Sequence, residues 1–203
     1  MTSYTVREGF ADLRDFTTNL PRTFDHCGVV IHNSRNVIKK IDTGGRLYVV
    51  KNFKGMYFFN RLAYSLFRPS KAVRSYNYSA LLNQKGISTP PHVAWIDCYT
   101  LGFLTRSYFV SVYSPNETLG QYIRHSINGT ESLLLRQLAA FILKLHRLGI
   151  YHEDLSLGNI LVNKTNNGYD FALVDLNRIK FGRITYHKGL RNFGTLRMDP
   201  VER

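Results

Sequence analysis

The apolar positions of this chain change period near its middle. In the first half they come in short runs of strand length. Gly28–His32, Val37–Ile41 and Leu47–Phe53 each read as a strand, and Asp42-Thr43-Gly44-Gly45 between the last two is a hairpin turn. Three antiparallel strands are therefore expected before residue 54. Met56–Phe67 carries part of a helical spacing in Phe59, Leu62, Ala63, Leu66 and Phe67. Ser70 is a candidate N-cap for a helix from Lys71 to Lys85 that stops at Gly86. After Pro90-Pro91, the stretches His92–Asp97 and Tyr108–Tyr113 again read as strands.

Ser114-Pro115-Asn116-Glu117 interrupts the chain, and a lobe boundary is placed there, dividing 1–113 from 114–203. Beyond it the period becomes helical. A short helix is expected at Thr118–Ile123 and a long one at Glu131–Leu148, with Leu134, Leu135, Leu138, Phe141, Ile142 and Leu145 on one face and Gly149 at its end. Ile160–Asn163 and Phe171–Val174 form a hairpin over Asn166-Asn167-Gly168. The fold class is α+β: an antiparallel-sheet first lobe with one key helix, then a small, mostly helical second lobe.

Charge changes this picture. The formal net charge is +13, and it is clustered. Between Asp42 and Asp97 there is no acid but eight bases; between Asp175 and Asp199 there is again none, with six bases. Such fields attract nucleotides, anionic glycolipids, anionic membranes or nucleic acid. Disorder is excluded by a 44% apolar and 13% aromatic content. The N-terminus lacks the pattern of a secretory signal, and the apolar stretch Leu133–Ile150 is broken by Arg136, Lys144, His146 and Arg147. Cys27 and Cys98 fit neither a zinc pattern nor a disulfide framework. A soluble, cytoplasmic protein is expected, with peripheral contact at an anionic inner-membrane surface left open.

The chemistry-bearing segment is Tyr151–Val162. It holds His152, Asp154 and Asn159 in the spacing His-x-Asp-x-x-x-x-Asn, and Asp175 follows in Ala-Leu-Val-Asp-Leu-Asn. This matches the catalytic loop of kinases and the metal-binding Asp after it. Phosphoryl transfer needs a carboxylate to orient and deprotonate the attacking hydroxyl, and Asp154 fits. It needs hard oxygen ligands for Mg²⁺, and Asn159 and Asp175 fit. It needs a cation on the phosphates, and Lys51 at the end of the third strand fits. His152 is assigned a structural role in shaping the loop. A solvated polar turn could supply Asp154 and Asn159 alone, but not the ordered set of four. Arg178 is read as reaching a phosphate or lying in solvent. His146, Trp95 and Tyr99 are read as packing residues, and Lys54–Arg68 as a packed helix or a glycolipid-facing patch.

On Ile31–Lys39, on Asn60–Tyr64 through Lys71–Tyr76, and on Tyr151–Val162, the chain resembles the lipopolysaccharide kinase (Kdo/WaaP-type) family, over roughly residues 20 to 195. The resemblance implies a bilobal protein-kinase-like fold, ATP and Mg²⁺ as cofactors, and a lipopolysaccharide inner-core sugar as acceptor. It implies a phosphate-covering loop at Asn33, Ser34 and Arg35, which here lacks glycine. A Glu that pairs with Lys51 is expected on the following helix, and the matching position is Asn77. A small atypical protein kinase and a nucleotide-binding pseudokinase are the alternatives; a nucleic-acid-binding domain ranks last.

Overall fold

The computed structural model describes residues 1–53, 69–125 and 132–196. The expected helix over Met56–Phe67 and the patch Lys54–Arg68 lie outside the described residues. The chain separates into two compact units, one of Met1–Ala80 with Pro90–Ser114, the other of Leu81–Thr89 with Pro115–Arg203.

The first unit opens with strand β1 (Thr2–Val6) and helix α1 (Arg14–Thr23), followed by β2 (Val29–Asn33), β3 (Val37–Thr43) and β4 (Arg46–Asn52). Helix α2 (Lys71–Gln84), whose residues from Leu81 on belong to the second unit, β5 (His92–Thr100) and β6 (Phe103–Val112) come next. The six strands form one antiparallel sheet in the order β1-β5-β6-β4-β3-β2. Four strands, not three, precede residue 54. Thr-Ser-Tyr-Thr-Val alternates too weakly to announce β1, which gains its place by pairing with the edge of β5.

One face of this sheet supplies Tyr48, Val50, Ile96, Tyr108 and Val110, all buried against Leu13, Leu20 and Phe24 of the N-terminal segment. The Phe24 and Tyr108 rings lie 5.3 Å apart at a tilt. On β3 the inward row is Val37, Lys39 and Ile41, so a lysine occupies a core position. Lys39 Nζ donates to the carbonyls of Phe24 (2.6 Å), Asp25 (3.1 Å) and Cys27 (3.1 Å). Those carbonyls lie just after α1, where helix-end acceptors favour a cation.

Helix α2 starts as expected: Ser70 Oγ accepts from the Val73 amide at 3.1 Å. Ala72, Ser75 and Ser79 make its buried side, whereas Asn77 is exposed. Ser70 also meets Ser107 Oγ at 3.3 Å, and Ser107 donates to buried Asp97 at 2.7 Å. Burial raises the Asp97 carboxyl above its ordinary value.

The second unit contains β7 (Glu117–Thr118), α3 (Leu119–His125), α4 (Ser132–Arg147), β8 (Ile150–His152), β9 (Ile160–Thr165), β10 (Gly168–Leu173), β11 (Ile179–Phe181) and α5 (Tyr186–Phe193). Its strands make a β10-β9-β7 sheet and a β11-β8 pair. Leu134, Leu138, Ile142 and Leu145 form the buried stripe of α4. Gly149 ends that helix at φ +71°: its amide donates to the His146 carbonyl at 3.0 Å, and its carbonyl accepts from the Gly182 amide at 2.9 Å; a Cβ there would lie 2.8 Å from the Gly182 carbonyl oxygen.

His92 is buried on β5, bonded to Ser79 Oγ at 3.2 Å and edge-on to Tyr76 at 4.5 Å. Burial, helped by Arg7, lowers its pKa from 6.5 to about 4. The unfolded chain binds the proton first, so His92 contributes stability above pH 6.5 that is lost as the pH falls toward 4. The expected loss is on the order of 3 kcal/mol. Melting temperatures between pH 7 and pH 4 should fall less steeply for His92→Gln than for the natural chain; parallel curves would contradict this.

Candidate functional site

The sequence places a polar loop between two short strands. β8 ends at His152, β9 begins at Ile160, and the intervening residues turn back on themselves. The Ser156 amide donates to the Asp154 carbonyl at 2.8 Å, and the Asn159 amide to the Ser156 carbonyl at 3.0 Å. Asn159 Nδ2 donates to the Asp154 carbonyl at 2.8 Å. The loop is therefore closed by its own residues, which is why a short polar segment can hold one shape.

His152 is fully buried beneath this loop. Its Nε2 lies 3.1 Å from the Val174 carbonyl, and its Nδ1 3.2 Å from the Asp154 amide. A carbonyl only accepts and an amide N–H only donates, so the proton sits on Nε2. Burial keeps the ring pKa below its ordinary value, the carbonyl bond and the two nearby aspartates opposing. A neutral His152 thus couples the residue before Asp175 to the backbone of Asp154.

Asp175 follows β10 in a left-handed conformation, φ 57° and ψ 47°. Among the described residues only Leu101 is another non-glycine with positive φ. Such backbone is uncommon for a side-chain-bearing residue, tolerated best by Asp and Asn, and it gathers at functional sites. Asp175 Oδ1 accepts from Asn177 Nδ2 at 2.5 Å. The preceding Val174 amide donates to the Asn159 carbonyl at 3.0 Å, which ties the Asp175 turn to the loop.

Asp154 itself is half-exposed, with Arg178 Nη1 3.5 Å from its Oδ2. Arg178 had been read as reaching a phosphate or solvent; it pairs with Asp154. Lys180 pairs in the same way with Glu153. Asn159, with its Nδ2 committed to a carbonyl, presents an amide oxygen, and Asp175 a carboxylate. That pair suits a hard divalent cation such as Mg²⁺, which takes one or two protein oxygens and completes its shell with phosphates and water. Among the described residues no cluster of three His, Cys, Asp or Glu side chains could hold a metal alone.

The structure brings His152, Asp154, Asn159 and Asp175 together in the second unit. The other candidates belong to the first unit. Lys51 is half-buried on β4, opposite Ile38 and Phe109, with Nζ 5.2 Å from the Phe53 ring centroid. Asn33 ends β2, and Ser34 and Arg35 lie in the exposed turn before β3, where the Ser34 amide donates to the Asn36 carbonyl at 3.1 Å and His32 Nε2 meets Ser34 Oγ at 2.8 Å.

Sequence reading missed what supports the loop from below. Helix α5 carries the buried Asn192, whose Nδ2 donates to the His152 carbonyl at 2.8 Å. Its Oδ1 lies 3.0 Å from His146 Nε2, so that nitrogen is the donor. Thr195 Oγ1 lies 2.8 Å from the Leu155 carbonyl and 2.6 Å from the Asn192 carbonyl. The main-chain carbonyls on both sides of Asp154 are thus tied to one helix end. The inward residues of α5 are Gly189 and Asn192, so no apolar period announced it; only the Thr185 N-cap, accepting from Lys188, was legible.

The family model described as the lipopolysaccharide kinase (Kdo/WaaP) family matches residues 33–189. No curated relative matches the chain. A solved structure titled "WaaP in complex with acyl carrier protein" is similar over 96% of this chain and 79% of that one, with 17% identity and a TM-score of 0.67. At that identity the likeness is one of fold, and the fold is kinase-like.

If Asn192 and Thr195 position the loop, Thr195→Val should lower kcat about tenfold, equivalent to about 1.4 kcal/mol at the transition state. The KM values should stay within about twofold, and Thr195→Ser should restore the rate. A kcat unchanged by Thr195→Val, or a Ser variant as slow as Val, would contradict the assignment.

Proposed function

For a chain that belongs to the lipopolysaccharide kinase (Kdo/WaaP) family, a family of kinases, we propose ATP-dependent transfer of the γ-phosphate to a sugar hydroxyl of the lipopolysaccharide inner core, Kdo or heptose. The observation that carries it is the tied loop: Asn159 is bonded to the Asp154 backbone, and Asp175 is linked to the same loop through Val174 and His152.

In this reading Asp154 is the catalytic base. Its carboxylate orients the acceptor hydroxyl and takes its proton as the oxygen bonds to the γ-phosphorus. The bond from that phosphorus to the bridging oxygen breaks, and ADP leaves with the electron pair. Arg178 holds the Asp154 carboxylate from one side. Asn159 and Asp175 would hold Mg²⁺, which neutralises charge on the phosphates when bound. Lys51 is assigned to the phosphates, and the turn Asn33, Ser34 and Arg35 to their cover. The segments 1–113 and 114–203 are assigned as the two lobes of one kinase domain. The place of action is proposed to be the cytoplasmic side of the inner membrane; among the described residues no helix is long and apolar enough to cross a membrane.

A pseudokinase reading rested on Asn77 replacing a glutamate. Asn77 is exposed on α2, and the pseudokinase stands as the alternative reading.

The test is transfer of labelled γ-phosphate from Mg-ATP to a Kdo-containing lipid A acceptor. Asp154→Ala should abolish transfer, a loss of about a thousandfold or more, while nucleotide still binds. Asp175→Ala should weaken Mg-ATP binding itself. Full activity in Asp154→Ala would overturn the assignment of the base.

A further inference from the structure

We propose that the outer face of α5, with the end of β11, docks on an anionic membrane surface. It adds a partner surface to the proposed function, and its test needs no turnover, so the two can fail separately.

The residues of α5 divide cleanly. Gly189 and Asn192 are buried, and Phe193 lies edge-on to His146 at 5.9 Å. On the opposite side Tyr186 is 76% and Leu190 50% exposed, one helical turn apart, and Phe181 at the end of β11 is 37% exposed. Arg183, His187 and Arg191 are exposed among them. No carboxylate occurs in sequence between Asp175 and Asp199. The cations nearest the catalytic loop, Arg178 and Lys180, are occupied by Asp154 and Glu153. Among the described residues no ion pair involves Arg183 or Arg191.

This combination selects the occupant. Exposed apolar side chains interleaved only with cations suit a surface that is negative throughout and apolar just beneath. Tyr186 and Phe181 are the aromatic type that settles at headgroup depth, and Leu190 reaches the acyl boundary. A protein partner would have to offer a matched apolar pocket ringed by acids; a bilayer with anionic lipid offers both everywhere. The face is one helix thick from the loop, since Asn192 on its inner side holds the His152 carbonyl. Docking through α5 would therefore hold the Asp154 loop about one helix diameter, ~10 Å, from the bilayer surface.

The experiment is sedimentation of the full chain with phosphatidylcholine vesicles, with and without about one quarter phosphatidylglycerol, at low and high salt. Binding should require the anionic lipid and weaken with salt. Leu190→Glu and Arg183→Glu/Arg191→Glu should each weaken it at least about tenfold, and Tyr186→Ala by less. Arg22→Glu, an exposed charge on α1, should leave it unchanged. Circular dichroism establishes that each variant is folded, and any misfolded variant is replaced by Tyr186→Ala/Leu190→Ser. No binding to anionic vesicles would overturn the proposal, as would equal binding by Leu190→Glu or an equal loss in Arg22→Glu. A concentration-dependent dimer that Leu190→Glu abolishes would instead make this face a contact between copies and would overturn it as well.

Discussion

The proposed chemistry depends on fixing the backbone around Asp154. Asp154 is a half-exposed carboxylate in a polar loop whose one fully buried apolar anchor is the neighbouring Leu155. Hydrogen bonds to the main chain do the rest: His152 takes the Asp154 amide, Asn159 takes its carbonyl, and Asn192 and Thr195 take the carbonyls on either side. Each of these is modest alone, but leaving any buried carbonyl unmet would cost about 1–3 kcal/mol. The loop shape is thus over-determined, as a site must be whose transition-state stabilisation comes from positioned groups rather than covalent chemistry.

The surrounding folds serve that constraint in different ways. In the second unit the stripe on α4 supplies the core, and His146 at its end reaches Asn192, so helix packing is passed on to the loop. In the first unit the sheet is sealed on one face by the N-terminal segment. Lys39 makes the seal polar as well as apolar by filling three carbonyls after α1. The tolerance for a buried lysine follows from this full set of partners.

Much of this was legible in the sequence. The β2–β4 meander, the N-cap at Ser70, the α4 stripe and the β9–β10 hairpin all followed from period and turn chemistry, since in each the apolar pattern and the capping residue agree. That His152, Asp154, Asn159 and Asp175 gather in one loop region was legible from their spacing. What stayed hidden depends on tertiary pairing. β1 has little burial of its own and exists through β5. Helix α5 turns a glycine and an asparagine inward, so its buried side carries no hydrophobic signal. Arg178 could not be paired with Asp154 without the β8–β11 ladder that brings them side by side.

The most direct test of this account is amide hydrogen exchange at Asp154, Ser156 and Asn159 in the chain without nucleotide. A loop held by its own hydrogen bonds predicts exchange about as slow as that of the flanking strands β8 and β9, and faster exchange in Asn192→Ala. Exchange as rapid as in the exposed Asn33–Asn36 turn, slowing only when nucleotide is added, would show that the ligand and not the fold arranges the loop.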